Sequence, residues 1–320
     1  MKKFVAFLLA AVMVFSLCAA GSVAFAAGPA KLNYATGGTS GTYYGFSGVI
    51  ANVLNEKLKD TLKLKVESTG ASKANIQMIA CGDADIAIVQ NDVMSYAYTG
   101  SDLFAGTDPI TTFSAVCSCY PEYVQILAKK DITSVEQLAG KRVSVGDAGS
   151  GTEFNARQIL AAYNLSFDDI NVSNQSFADS ADSLKNGTID AAFVVAGYPT
   201  TAVTELATNF DFNLLAIDDA HAKELQSTYG FYYYGVIPGG TYSPVADDVP
   251  AVAVMATIIA ANKVPADVVY AFVKGLFDYK DDITAGHVKG NELDLKTAVS
   301  GVSIPWHEGA AKFYAENGLM

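Results

Sequence analysis

A strand, a Ser-Gly-Thr turn and an amphipathic helix follow one another twice in this chain, and that repetition limits the fold more than any other feature. In the first copy, residues 31–35 read as a short strand broken by Gly37-Gly38-Thr39-Ser40-Gly41-Thr42. The helix that follows places Phe46, Val49, Ile50, Val53 and Leu54 on one face, the spacing of a buried stripe. Residues 62–67 alternate as a second strand, Ser72 is placed to cap a helix that stops at Gly82, and residues 86–89 form an unbroken apolar strand. Unbroken apolar strands belong to parallel sheets covered on both faces. In the second copy, residues 142–145 are a strand, and Gly149-Ser150-Gly151-Thr152 breaks it. A helix then carries Ala156, Ile159, Leu160 and Tyr163 on one face, a later helix ends at Gly187, and residues 191–195 are again an apolar strand.

The copies also match residue by residue. Ser40-Gly41-Thr42 returns as Ser150-Gly151-Thr152, 110 positions on, and the segment from Gly82 to Val89 returns from Gly187 to Val194, 105 positions on. Two βαβ lobes of one plan are expected, against the plainer account that both matches are generic strand–turn–helix chemistry. The chain should cross between lobes where apolar, aromatic strands link them, at 113–129 and at 230–237. A two-strand hinge of this kind permits closure around a ligand. Lobe one is then expected to hold residues 28–122 and 236–320, and lobe two residues 123–235. Helices at 265–280 and 308–317 should pack back on lobe one.

The amino terminus reads as an export signal. Lys2 and Lys3 precede an apolar run, and Ala24-Phe25-Ala26 fits a signal-peptidase site, so residues 1–27 are expected to be removed and the rest to work in the periplasm. The run is short for a membrane span, which weighs against a retained anchor. Leu17 before Cys18 weighs against lipidation, which needs a small residue there. Without 27 of its 320 residues the chain has 293, enough for one large domain or two ordinary ones. Losing two lysines leaves 19 basic residues against 33 acidic ones, a net charge of −14, and only Arg142 and Arg157 are arginines. Such a chain is a poor partner for nucleic acid or anionic lipid.

Enzyme signatures are missing. Walker, dinucleotide, zinc-type His-Glu-x-x-His and nucleophile-elbow patterns do not occur, and His221, His287 and His307 are scattered. No catalytic residue, metal or cofactor is expected. Cys81, Cys117 and Cys119 are an odd number, so at most one disulfide can form; Cys81 is expected in the core.

The chemistry therefore falls to the turns. A helix start leaves about four amide N–H groups unpaired and carries partial positive charge, so two such starts facing one gap would hold a carboxylate without arginine. Ordinary N-capping is the competing account of the same serines and threonines. Tyr43 and Tyr44 open the first helix, Tyr198 and Pro199 follow the last strand of the second copy, and Gln90 ends the 86–89 strand, where ligands gather in open α/β sheets. Asp92 is expected as the next helix cap.

The same residues resemble a known family. The segment from Tyr34 to Tyr44, Ser68-Thr69-Gly70-Ala71-Ser72, Gly82 to Asp92, Ala148 to Thr152 and the closing run from Ile304 to Tyr314 are similar to TAXI-type solute receptors of TRAP transporters. Ala71 departs from the pattern, where a second glycine is common, and Lys73 follows it. The resemblance implies a type II periplasmic-binding-protein fold and a monomer that binds a glutamate- or 2-oxoglutarate-like acid. It also implies delivery of that acid to a TRAP permease, and a ligand faced by Thr39, Ser40, Gly41, Thr42, Tyr43 and Gln90 from lobe one and by Ser150, Gly151, Thr152 and Tyr198 from lobe two. An ABC-type anion receptor is the alternative within binding proteins, and an exported α/β hydrolase the alternative outside them.

Overall fold

The computed structural model describes residues 28–320, so the expected signal at 1–27 lies outside the described residues. Lobe one begins with β1 (Ala30–Ala35), α1 (Thr42–Lys57), β2 (Leu62–Glu67), α2 (Ser72–Cys81), β3 (Ile86–Gln90) and α3 (Asn91–Thr99). The long strand β4 (Phe113–Ala128) leaves it. Lobe two is built from β5 (Arg142–Ser144), α4 (Gly151–Ala162), β6 (Asn171–Ser173), α5 (Phe177–Lys185), β7 (Ala191–Ala196), α6 (Thr201–Ala207), β8 (Asn213–Leu214), α7 (Asp219–Tyr229) and β9 (Tyr233–Ile237). The strand β10 (Val249–Ala261) returns to lobe one, where α8 (Ala266–Asp278), α9 (Lys280–Gly286) and α10 (Glu308–Glu316) complete it.

One continuous sheet runs β2-β1-β3-β10-β4-β7-β5-β6, with β8 added on β4 and β9 on β10. The outer strands of each lobe pair in parallel, β1 with β2 and β3, and β5 with β6 and β7. The inner strands are antiparallel: β10 pairs with β3, β4 and β9, and β4 pairs with β7. Every residue of β3 and β7 is buried, as expected of strands covered on both faces. Each fully buried Val, Leu or Ile contributes about 1.5–3 kcal/mol relative to exposure.

The apolar cores separate where β4 and β10 run side by side. The lobe-one core ends at Tyr120 and resumes at Ala256, while lobe two's apolar clusters begin at Val124 and end at Val254. Residues 230–237 therefore do not make the return crossing. β9 pairs only with Val249 to Ala253 of β10, inside lobe two, and β10 is the second hinge strand, so lobe two extends some twenty residues beyond the expected boundary at 235. The sequence after Ile237 reads as helical, yet 249–261 is a strand. An alanine-rich apolar run has no period that separates strand from helix, and pairing on both edges decides it.

Smaller differences have local causes. The buried face of α1 is Tyr43, Phe46, Ser47, Ile50, Ala51 and Leu54; Val49 and Val53 are half-buried, and Val49 lies under Gly286 of α9. Cys81 is exposed at the end of α2 rather than in the core, and Cys117 and Cys119 are buried free thiols. Asp92 does not cap α3. Gln90 occupies the cap position, and Asp92, fully buried in the first turn, accepts a 2.9 Å hydrogen bond from Asn155 Nδ2 of lobe two.

That bond opens a polar network between the lobes. Asn155 Nδ2 also donates to Tyr232 Oη at 2.8 Å, Tyr232 donates to Gln158 Oε1 at 2.6 Å, and Gln158 Nε2 reaches Tyr96 Oη at 3.2 Å and Asp102 at 3.0 Å. Burial raises the Asp92 carboxyl to about 6, against the pull of its hydrogen bonds from Asn155 and Val93. The folded protein thus keeps this proton at pH values where the unfolded chain has released it. The contribution of Asp92 to stability is full below pH 4 and is lost as pH rises to about 6, a fall of roughly 3 kcal/mol. Asp92→Asn should remove that slope: urea melts of the two proteins should differ by about this amount more at pH 7 than at pH 4. A difference independent of pH would show that Asp92 is solvated.

Candidate functional site

Between the lobes lies a cavity open to solvent at its mouth, with about 520 Å³ of space not filled by protein atoms when that mouth is counted. Its position follows from the topology. β1, β3, β5 and β7 all end toward the gap, and each strand end passes into a helix start. Residues from the first turns or caps of five helices line it: Thr42 of α1, Ser72 of α2, Gln90 before α3, Gly151 of α4 and Phe177 of α5. Each helix start contributes about 0.3–1 kcal/mol of attraction to an anion at the surface, and more in a partly buried gap.

Eight of the ten residues expected at the ligand line this cavity: Ser40, Gly41, Thr42, Tyr43, Gln90, Ser150, Gly151 and Thr152. The two turns meet across one gap but are not equivalent. Gly41 is the cap of α1 and offers no side chain, whereas Ser150 caps α4, its hydroxyl accepting from Glu153 N at 3.2 Å. Thr39 and Tyr198 are not at the cavity. Thr39 is exposed at the tip of its turn. Tyr198 packs on Tyr123 with ring centroids 5.0 Å apart, and Lys289 Nζ lies 4.9 Å from its ring centre, so it belongs to the contact behind the site.

The lobes touch at the cavity rim. Thr42 Oγ1 donates to Gly197 O at 2.8 Å, and Ala202 N donates to Ser40 O at 3.2 Å. Gln90 packs directly on Gly151: a Cβ at Gly151 would stand 1.8 Å from Gln90 Oε1. Only glycine admits the Gln90 amide there. Gln90 Oε1 is buried and has no hydrogen-bond partner among the described residues.

Sequence reasoning missed the acids. Glu122, on β4 at the cavity floor, is only 2% exposed, and Tyr43 Oη donates to its Oε2 at 2.6 Å. Burial pushes its carboxyl well above the ordinary carboxylate range, opposed by the Tyr43 bond and, more weakly, by the charge of Lys289. Asp147, in the loop after β5, is half-buried and raised by burial and by Asp179. A single acid inside an apolar crossing strand was the available signal for Glu122. Ala71 also lines the cavity, in a backbone conformation with φ 66° and ψ −148° that glycine takes freely and alanine does not. This accounts for the glycine expected at that place.

Two outcomes follow from the close contacts. Gly151→Ala should weaken ligand binding at least tenfold, because its Cβ would displace the Gln90 amide or hold the lobes apart; unchanged affinity would mean the Gln90–Gly151 contact is dispensable. Ala71→Gly should raise stability by about 1 kcal/mol in denaturant melts, relief of backbone strain exceeding the added freedom of the unfolded chain. A loss of stability would place the strain elsewhere.

Among solved structures, the alkanesulfonate-binding protein SsuA from Xanthomonas axonopodis pv. citri, bound to MOPS, is similar at TM-score 0.52 and 16% identity, over 90% of this chain and 84% of that one. A protein from Bordetella bronchiseptica RB50 gives 0.52 and 18%, over 91% and 81%. A putative L-cystine ABC transporter protein from Listeria monocytogenes gives 0.50 and 13%, over 83% and 98%. With the two lobes and two crossing strands described above, these likenesses identify the fold as the type II periplasmic-binding-protein fold. Residues 34–318 match the NMT1-like family, to which this chain belongs.

Proposed function

We propose that the protein is an extracytoplasmic solute-binding receptor that closes its two lobes around a small acid-bearing molecule and presents it to a membrane permease. The observation that carries this reading is the convergence of five helix starts, drawn from both lobes, on one cavity between them. An acidic group held there would gain from unpaired amides on both sides, so its binding favours the closed arrangement. The ligand contacts are assigned to Ser40, Gly41, Thr42, Tyr43 and Gln90 from lobe one and to Ser150, Gly151 and Thr152 from lobe two. The movable units are residues 28–122 with about 255–320, and 123 to about 254, hinged on β4 and β10. Periplasmic export rests on the sequence of residues 1–27, and a monomer is sufficient because one chain supplies both sides of the cavity.

Two permease types are in question. The names of the solved relatives, a sulfonate-binding protein and a cystine ABC transporter protein, favour an ABC-type system; the TRAP assignment and the glutamate-like ligand rest on sequence resemblance alone. Calorimetric titration with alkanesulfonates, cystine, glutamate, 2-oxoglutarate and C4-dicarboxylates tests the receptor reading. Saturable one-to-one binding by at least one compound, weakened in Gly151→Ala, is expected; no heat from any of them would remove the reading. Uptake by membranes carrying the cognate permease then separates the systems, since dependence on ATP hydrolysis indicates ABC and dependence on an ion gradient indicates TRAP.

A further inference from the structure

The carboxyl groups inside the cavity face no basic side chain among its lining residues. Its ionisable carboxyl groups are Glu122 and Asp147, and no lysine, arginine or histidine lines it. The nearest cationic side chains are engaged elsewhere. Lys73 passes Gly149 with its methylenes and places Nζ 5.4 Å from the centre of the Phe104 ring. Lys289 is buried behind the floor, bound to Glu292 and stacked between Tyr120 and Tyr198. Neither cavity carboxyl makes an ion pair, and among the described residues the Asp147 carboxyl has no side-chain hydrogen bond. Beside them, the buried Gln90 Oε1 accepts from no group of the protein. Among the described residues the Asp147 carboxyl and Gln90 Oε1 are left without donors, while Glu122 already accepts from Tyr43 Oη at 2.6 Å.

A solute with acidic groups only would satisfy the helix starts and then lie against two carboxyls and an unfilled acceptor. A second anionic group would be repelled by the Asp147 carboxylate and would offer no donor to Gln90 Oε1, so the complementary ligand is not a di-acid. We propose that the cavity selects a solute bearing a cationic nitrogen together with its acidic group, the nitrogen held by Asp147, Glu122 and Gln90 Oε1 and the acid by the helix starts. The proposal rests on the receptor reading and narrows it. Glu122 and Asp147 become specificity-determining residues. Glu122 comes from the hinge strand and Asp147 from lobe two, so a nitrogen shared between them adds to the force that keeps the lobes together. Burial raises the Glu122 carboxyl, and an ammonium beside it would favour its charged form.

Thermal-shift titration with paired probes tests this: L-glutamate against glutarate, L-aspartate against succinate, taurine against ethanesulfonate, and L-alanine against propionate. Stabilisation by amine-bearing members only is expected, at least tenfold tighter than their partners. In Asp147→Asn the amine preference should fall tenfold or more while the protein melts near the wild-type temperature, because Asp147 is half-buried and makes no internal side-chain bond. Glu122→Gln supplies a second reading of the same loss where it folds. Equal or tighter binding of the amine-free members, or an amine preference unchanged in Asp147→Asn, overturns the proposal and leaves the receptor intact. Silence of every probe in wild-type protein, together with silence of the calorimetric panel above, removes the receptor reading and this proposal with it.

Discussion

The antiparallel ladder between β4 and β10 is the constraint on which the rest of the molecule depends. It runs from the pair Phe113–Ala261 to the pair Tyr123–Ala253, with register shifts between Ala256 and Thr257 and between Ile258 and Ile259. At one end β10 carries β3 and the lobe-one sheet; at the other, β4 carries β7 and the lobe-two sheet. Both apolar cores stop within three residues of the same level on the ladder, so the backbone hydrogen bonds there are what hold the lobes in one sheet. Register shifts increase local twist and bend, which suits strands that pass from one lobe into another.

From that ladder the site follows geometrically. Parallel strands on either side point their carboxyl ends at the gap, and each returns through a helix whose amide end faces inward. Glu122 stands on the ladder itself, opposite Val254 on β10. A carboxyl fixed on the hinge, held by Tyr43 from α1, couples the floor of the cavity to the helix that forms its wall.

The contacts between lobes are of two physical kinds. At the rim they are backbone-directed and short, such as Thr42 Oγ1 on Gly197 O and Gln90 packed on Gly151. Further along α4 they are side-chain hydrogen bonds, buried from Asn155 to Asp92 and from Gln158 to Tyr96, and partly buried from Gln158 to Asp102. The helix α4 thus serves the cavity with its first residue and the lobe contact with the positions four and seven residues on, which share its face. Local sequence carries the spacing, but nothing in it says that this face meets α3.

What the sequence determined by itself is what local chemistry can enforce. The apolar periods placed α1, α4, β3 and β7, and the paired Ser-Gly-Thr turns marked two helix starts that do line one cavity. The tertiary structure decided what depends on residues far apart in the chain. The return strand is 249–261 because its edges find β3, β4 and β9, a matter of pairing that an alanine-rich run does not announce. Thr39 and Tyr198 are not among the cavity's lining residues: Thr39 is exposed on its turn, and Tyr198 packs on Tyr123. Glu122 and Asp92 owe their altered acidity to burial, which is created only when segments 63 to 132 positions away close over them: Asn155 on Asp92, and Val254 beside Glu122. Periodicity is a property of neighbours along the chain, whereas desolvation and strand choice are properties of the assembled molecule.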